Sequence, residues 1–165
     1  MGNTIKYFLA IVFFPIVILF WLTKKIYRKI KIKILQSYLN NLTLEKIDNL
    51  NGFEFEELLE IIFVSKGYKV IKTQKSHDYG ADLIINKNGV SFAIQCKLYF
   101  KHSVGNSAIQ EASSAKDYYN TDYAIVITNS NFYKPATILA KKIGVRLIDR
   151  NMILNLISKD HLELL

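Results

Sequence analysis

Asp82, Gln95 and Lys97 are the residues whose types and spacing could do chemistry. In the run Val90 to Leu98, alternation at period two puts Phe92, Ile94 and Cys96 on one face of a strand and Ala93, Gln95 and Lys97 on the other. A lysine on the inward-looking part of a strand is costly to bury unless it meets negative charge or a functional opening. The strand before it begins near Asp82, after the loop Ser76-His77-Asp78-Tyr79-Gly80, so a carboxylate, an amide oxygen and an ammonium can converge across one hairpin. Such a trio suits phosphodiester hydrolysis. Hard oxygen ligands hold Mg²⁺, the ion polarises the phosphate and its bound water, and the ammonium stabilises charge or helps to activate the nucleophile. Taken alone, an acid followed by Q-x-K fits a surface hairpin with an exposed ion pair equally well.

The elements that must position these groups are legible in the surrounding pattern. Phe55, Leu58, Leu59, Ile62 and Phe63 fall at helical spacing and predict an amphipathic helix ended by Lys66-Gly67. Strands are predicted over Tyr68 to Thr73, Ala81 to Ile85 and Val90 to Leu98, with Asn86-Lys87-Asn88-Gly89 as the turn into the third. A helix from Asn106 to Tyr119 carries Ala108, Ala112, Ala115 and Tyr119 along one face, and the strand Tyr123 to Thr128 follows. A helix with Pro135 in its first turn ends at Gly144, then come a short strand, Val145 to Ile148, and a closing helix, Met152 to Ile157. An antiparallel hairpin followed by strands reached through helical crossovers predicts an α/β domain, a mixed sheet with helices on both faces.

The chain has 165 residues and a net charge of +8, enough for one ordinary domain and an appendage. The charge is uneven, with eight Lys/Arg against two Asp/Glu in residues 1–50 and near balance beyond. High basicity therefore does not by itself name nucleic acid as partner, because a basic run beside an apolar one also suits anionic lipid. Tyr7 to Leu22 holds no charge and is bounded by Lys6 and Lys24-Lys25, which predicts a transmembrane anchor over residues 1–24 that enters the bilayer through residues 7–23. Residues 25–42 read as a basic juxtamembrane helix or linker, and the lysines following the apolar run place the domain on the cytoplasmic side of a single-pass protein, in the inner or plasma membrane of a prokaryote. One cysteine, Cys96, excludes an intrachain disulfide and a Cys-rich zinc site.

The ordered motifs from Ile47 onward resemble the Mrr-type catalytic domain of type IV restriction endonucleases, a branch of the PD-(D/E)xK nuclease superfamily. IDNLNGFEFEELL looks like its opening helix, GYKVIKT like its first strand, DYGADLII like its D-x-G-x-D stretch and IQCK like the Q-x-K variant of its signature. VGNSAIQEASSAKDYY and ITNSNFYKPATILAKKIGVRLIDR match the landmarks that follow. The resemblance covers residues 45–158 and implies a restriction-endonuclease-like domain over 43–165, hydrolysing DNA with Mg²⁺, for which Mn²⁺ could substitute. It implies that Asp82 is the principal metal ligand, that Gln95 replaces a second acidic ligand, that the Cys96 backbone carbonyl is a further ligand and that Lys97 is the catalytic lysine. Glu56 would approach as another ligand or a water-orienting carboxylate, and Gln110 would help to order the site. Gln95 is neutral where many relatives carry Glu, which should weaken metal binding, and no separate DNA-reading domain is expected beside the nuclease. A homodimer is compatible with the pattern.

Other residues read more plainly. Asp78 is either a supporting acid or ordinary turn chemistry, and His77 reads as a loop residue. Cys96 reads as a small core residue whose side chain takes no part in catalysis. Lys72, Lys75, Lys101 and His102 flank the hairpin and suit either phosphate contact or plain solvation, while Tyr118 and Tyr119 read as packing. Two other functional classes stay open at this point. One is a nucleic-acid-binding module too weak in metal affinity to cleave, and the other is a membrane-associated scaffold whose domain binds protein.

Overall fold

The computed structural model describes residues 37–73 and 79–157, together with positions 19, 20, 22, 23, 26, 27, 30, 33 and 34. The chain divides into two compact units, 1–38 and 39–165. In the first, every described position is helical and exposed, including Leu19, Phe20, Leu22, Ile26, Tyr27, Ile30, Ile34 and Tyr38. Among the described residues no helix is long and apolar enough to cross a membrane, and the apolar run 7–22 lies almost wholly outside them.

The second unit opens with a short helix, α1 (Leu44–Asp48), then α2 (Gly52–Ser65). The motif expected to form one opening helix is thus broken at residues 49–51. Asn51 is the reason: its extended backbone stops helical continuity, its side chain accepts from the Glu54 N–H, and Glu54 accepts from the Asn51 N–H in return. This reciprocal capping box satisfies two otherwise orphaned donors and fixes where α2 starts. The predicted apolar stripe is buried throughout, Phe55, Leu58, Leu59, Ile62 and Phe63 all lying in the core. Gly67 takes the left-handed conformation past the C-terminus of α2, where a side chain would be strained.

Three antiparallel strands follow or flank this turn: β1 (Lys69–Lys72), β2 (Leu83–Lys87) and β3 (Val90–Lys97). Asn88 and Gly89, both at positive φ, make the two-residue turn that joins β2 to β3. Helix α3 (Asn106–Tyr118) then leads to β4 (Tyr123–Thr128), α4 (Lys134–Ile143) to β5 (Val145–Ile148), and α5 (Arg150–Ile157) closes the chain. β4 and β5 run parallel to β3, giving one five-stranded mixed sheet in the order β1-β2-β3-β4-β5.

One face of the sheet packs on α1, α2 and α5, through Phe92 and Ile94 of β3 among others. The other packs on α3 and α4, through Ala93, Ala124 and Val126. The expected helices on both faces and the expected alternation along β3 are both present. Ala108, Ala112 and Ala115 are buried on α3, and their small side chains bring that helix close to the sheet. The register sets the start of β2 at Leu83 opposite Lys72 and Ile94, so Asp82, the end of β3 and the carboxyl ends of β4 and β5 gather at one margin of the sheet. Open α/β sheets bind ligands at the carboxyl ends of their parallel strands.

Candidate active site at the sheet margin

Asp82 is held before its carboxylate is considered. Its N–H donates to the Ile94 carbonyl at 2.8 Å, and its own carbonyl accepts from the Thr73 N–H at 3.0 Å and the Thr73 hydroxyl at 3.1 Å. That hydroxyl also approaches the Ala81 carbonyl at 2.6 Å. Thr73, unremarked in the sequence, thus clamps the end of β1 to the residues leading into β2. The Asp82 carboxylate then leans along the margin, where Oδ2 accepts from the Cys96 N–H at 2.6 Å and from Gln95 Nε2 at 2.9 Å.

Cys96 is available for this bond because of backbone alternation. The groups of Ile94 point toward β2, so those of Cys96 do so as well, beyond the point where β2 begins. Its N–H is met by Asp82, and its carbonyl faces the same side. The thiol packs against the core on the α2 face. Burial pushes it well above the usual thiol range, reinforced by the charges of Asp82 and Glu56 and a hydrogen bond to Asp82, so the sulfur stays protonated and unreactive. The charge of Glu56, on α2, is therefore felt at Cys96 from the face opposite Gln95.

Gln95 is 4% exposed, and its Oε1 is buried with no hydrogen-bond partner while Nε2 is engaged by Asp82. An orphaned buried acceptor costs about 1–3 kcal/mol and calls for an explanation. An oxygen-seeking cation supplies one, and Asp82, Gln95 Oε1 and the Cys96 carbonyl are the hard donors that Mg²⁺ prefers. Among the described residues no three His, Cys, Asp or Glu side chains converge as a metal site. The donor set is hence mixed, a carboxylate with neutral oxygens.

Lys97 lies on the α3 face, as alternation predicts, and meets a partner absent from the sequence reading: Nζ sits 2.7 Å from Glu111 Oε2. Burial alone would lower the lysine's pKa. The hydrogen bond and charge of Glu111, then the charges of Asp82 and Tyr99, outweigh burial and hold it above the usual value, so Lys97 is an ammonium. Glu111 had a signal in the sequence, since it falls four residues before Ala115 at the edge of the alanine face that approaches the sheet. α3 comes close at Gly80, at φ +89, where an added Cβ would collide with the Glu111 carbonyl. Tyr79 precedes it, also at positive φ, and stacks on Tyr118 with ring centroids 3.8 Å apart. These residues and Gln110 line an open cleft of about 590 Å³. Gln110 thus stands on a wall beside Glu111.

The remaining candidates lie elsewhere. Asp78, His77 and Lys75 fall outside the described residues. Lys72 is occupied by Glu57 and Glu60 at 3.9 and 3.7 Å and sits over the Phe53 ring. Lys101 and His102 are exposed on the loop after β3 and line a separate cleft of about 400 Å³ with Tyr99, Asn129 and Arg150. In that cleft Arg150 grips Asp48 through two bonds at 2.6 and 2.8 Å, and Asn129 donates to Asp48 at 2.9 Å.

A five-stranded mixed sheet flanked by helices, with an acid, an amide and a lysine at its margin, defines a restriction-endonuclease-like fold. Residues 47–157 match the Mrr catalytic-domain family, described as restriction endonuclease, and the chain belongs to that family. Two solved structures share the fold. A crystal structure of a protein of unknown function, AF1548, is 14% identical with a TM-score of 0.53, covering 60% of this chain and 58% of its own. The DNA modification-dependent restriction endonuclease AspBHI is 17% identical with a TM-score of 0.53, covering 78% of this chain and 34% of its own. The chain therefore spans less than two thirds of either protein. No curated protein matches it.

Proposed function

We propose that this chain is a Mg²⁺-dependent DNA endonuclease held at a membrane by its N-terminal segment. The observation that carries the catalytic reading is the buried, partnerless Gln95 Oε1 beside an Asp82 carboxylate already oriented by two donors, with the Lys97 ammonium on the same face as Gln95. When bound, Mg²⁺ supplies charge neutralisation at the scissile phosphate and a more acidic water. Asp82, Gln95 Oε1 and the Cys96 carbonyl would hold it, with Glu56 approaching from α2. Lys97 places a fixed positive charge where a phosphate oxygen gains negative charge.

The test is cleavage of supercoiled plasmid by the purified full chain with Mg²⁺, with EDTA, and with Mn²⁺. Metal-dependent nicking or linearisation by the wild type, lost in Asp82→Ala and Lys97→Ala, is the expected result. Equal nicking by the wild type and both variants would sink the assignment. The neutral Gln95 and the lack of a three-acid cluster among the described residues favour one second reading, a domain that grips DNA without cutting it. Salt-dependent binding with no turnover at any divalent metal concentration would select that reading.

The membrane reading rests on the uncharged run 7–22, on the exposed Leu19, Phe20 and Leu22, and on the lysines that follow them. The expected outcome is retention of the full chain in the membrane pellet after alkaline carbonate extraction, with the C-terminus protected in right-side-out vesicles. Release into the supernatant removes the anchor from the proposal.

A further inference from the structure

Lys97 ends in a long flexible stem, and holding it in one rotamer costs side-chain entropy. Something must select the position of its charge. Glu111 lies 2.7 Å from Nζ, in the short range expected of a charge-assisted hydrogen bond. Both side chains are partly open to solvent, at 23% and 42% exposure, so the pair is worth more as a geometric device than as a source of stability.

The placement of Glu111 is itself determined by the backbone. Ala108, Ala112 and Ala115 let α3 lie close to the sheet, and the missing side chain at Gly80 lets the Glu111 carbonyl press on the loop that leads to Asp82 two residues later. One contact thus sets the distance between the partner of Lys97 and the residues that present Asp82.

We propose that Glu111 is a positioning residue for Lys97, fixing the ammonium at one place on the α3 face of the sheet margin and thereby making α3 part of the cleavage apparatus. The inference rests on the nuclease reading of Asp82 and Lys97 but concerns a residue that reading does not need.

The experiment compares the wild-type full chain with Glu111→Gln, which keeps shape and loses charge, and with the double variant carrying Lys97→Ala. In plasmid cleavage, Glu111→Gln should lower kcat about ten- to a hundredfold with KM for DNA changed less than about threefold, as expected for a misplaced group. In the residual cleavage of Lys97→Ala, read at high enzyme over long incubation, adding Glu111→Gln should cost nothing further, because the two act as one unit. An unchanged or raised kcat, or a full additive loss in the double variant, overturns the proposal. A second measurement does not need turnover: acylation of Lys97 by an amine reagent, followed by mass spectrometry with Lys116 as internal reference. Glu111→Gln should speed Lys97 labelling several-fold relative to Lys116. Equal labelling overturns the pairing, and faster labelling in a chain whose wild type cleaves nothing upholds it while the nuclease reading alone falls.

Discussion

At the scale of single residues, the site is governed by what each polar atom has to bond with. Asp82 Oδ2 is shared between an amide side chain and a backbone N–H, and Gln95 leaves its other end without a partner. A glutamate in place of Gln95 should act in opposite directions with and without metal. In EDTA, Gln95→Glu loses the donor to Asp82 and sets two carboxylates side by side, so the melting temperature should fall by the equivalent of about 1–3 kcal/mol. With saturating Mg²⁺ the extra charge should tighten metal binding about tenfold or more, read by calorimetric titration, and offset about 1.4 kcal/mol of that loss. A deficit as large in Mg²⁺ as in EDTA would show that no cation sits there. Cys96 makes the complementary case. Its thiol is held protonated, and the backbone N–H that orients Asp82 survives a change of side chain, so Cys96→Ala should keep cleavage within about twofold and cost about 1 kcal/mol in a denaturant melt.

At the scale of elements, two devices decide where the site residues stand. The Asn51 capping box begins α2 and so sets the rotation of Glu56 about that helix. Asn51→Ala should destabilise the domain by about 1 kcal/mol, measured by urea denaturation, with no change of fold. The contact between Gly80 and α3 is less forgiving, because both the positive φ and the Glu111 carbonyl exclude a side chain. Gly80→Ala should therefore lower the melting temperature more than Asn51→Ala does and displace Asp82 or Lys97, abolishing cleavage where the capping variant retains it.

At the scale of the whole domain, the first and last helices are joined across the sheet margin by Asp48, Arg150 and Asn129. The hydrogen bond from Arg150 to Asp48 holds that carboxyl below its usual range, against the effect of burial and with help from Asn129 and the Arg150 charge. A depressed carboxylate contributes stability that is fully present above its unfolded pKa of about 3.9 and is lost as pH falls through the lower folded value. Asp48→Asn should thus cost about 1–2 kcal/mol near pH 7, and the gap from the wild type should narrow as the pH falls below the ordinary carboxylate range. Urea melts near neutrality and below that range check this, and a gap independent of pH would show that the pair is not the source.

Much of this was readable in the chain. The periodicity of Phe55 to Phe63, the Asn88-Gly89 turn, the strand Tyr123–Thr128 and the Pro135-to-Gly144 helix are local patterns, and local backbone and burial preferences are what a sequence carries directly. The alternation that sends Gln95 and Lys97 to one face is of the same kind. The family resemblance put one opening helix over Ile47 to Leu59, whereas the reciprocal bonds of Asn51 and Glu54 begin a second helix at Gly52. What tertiary structure alone decided are contacts between residues far apart in the chain: Lys97 with Glu111, Gly80 with the backbone of α3, Thr73 with Asp82, and Asp48 with Arg150. Each depends on strand register and on how close a helix comes to the sheet, quantities fixed by packing the whole core at once rather than by any window of residues.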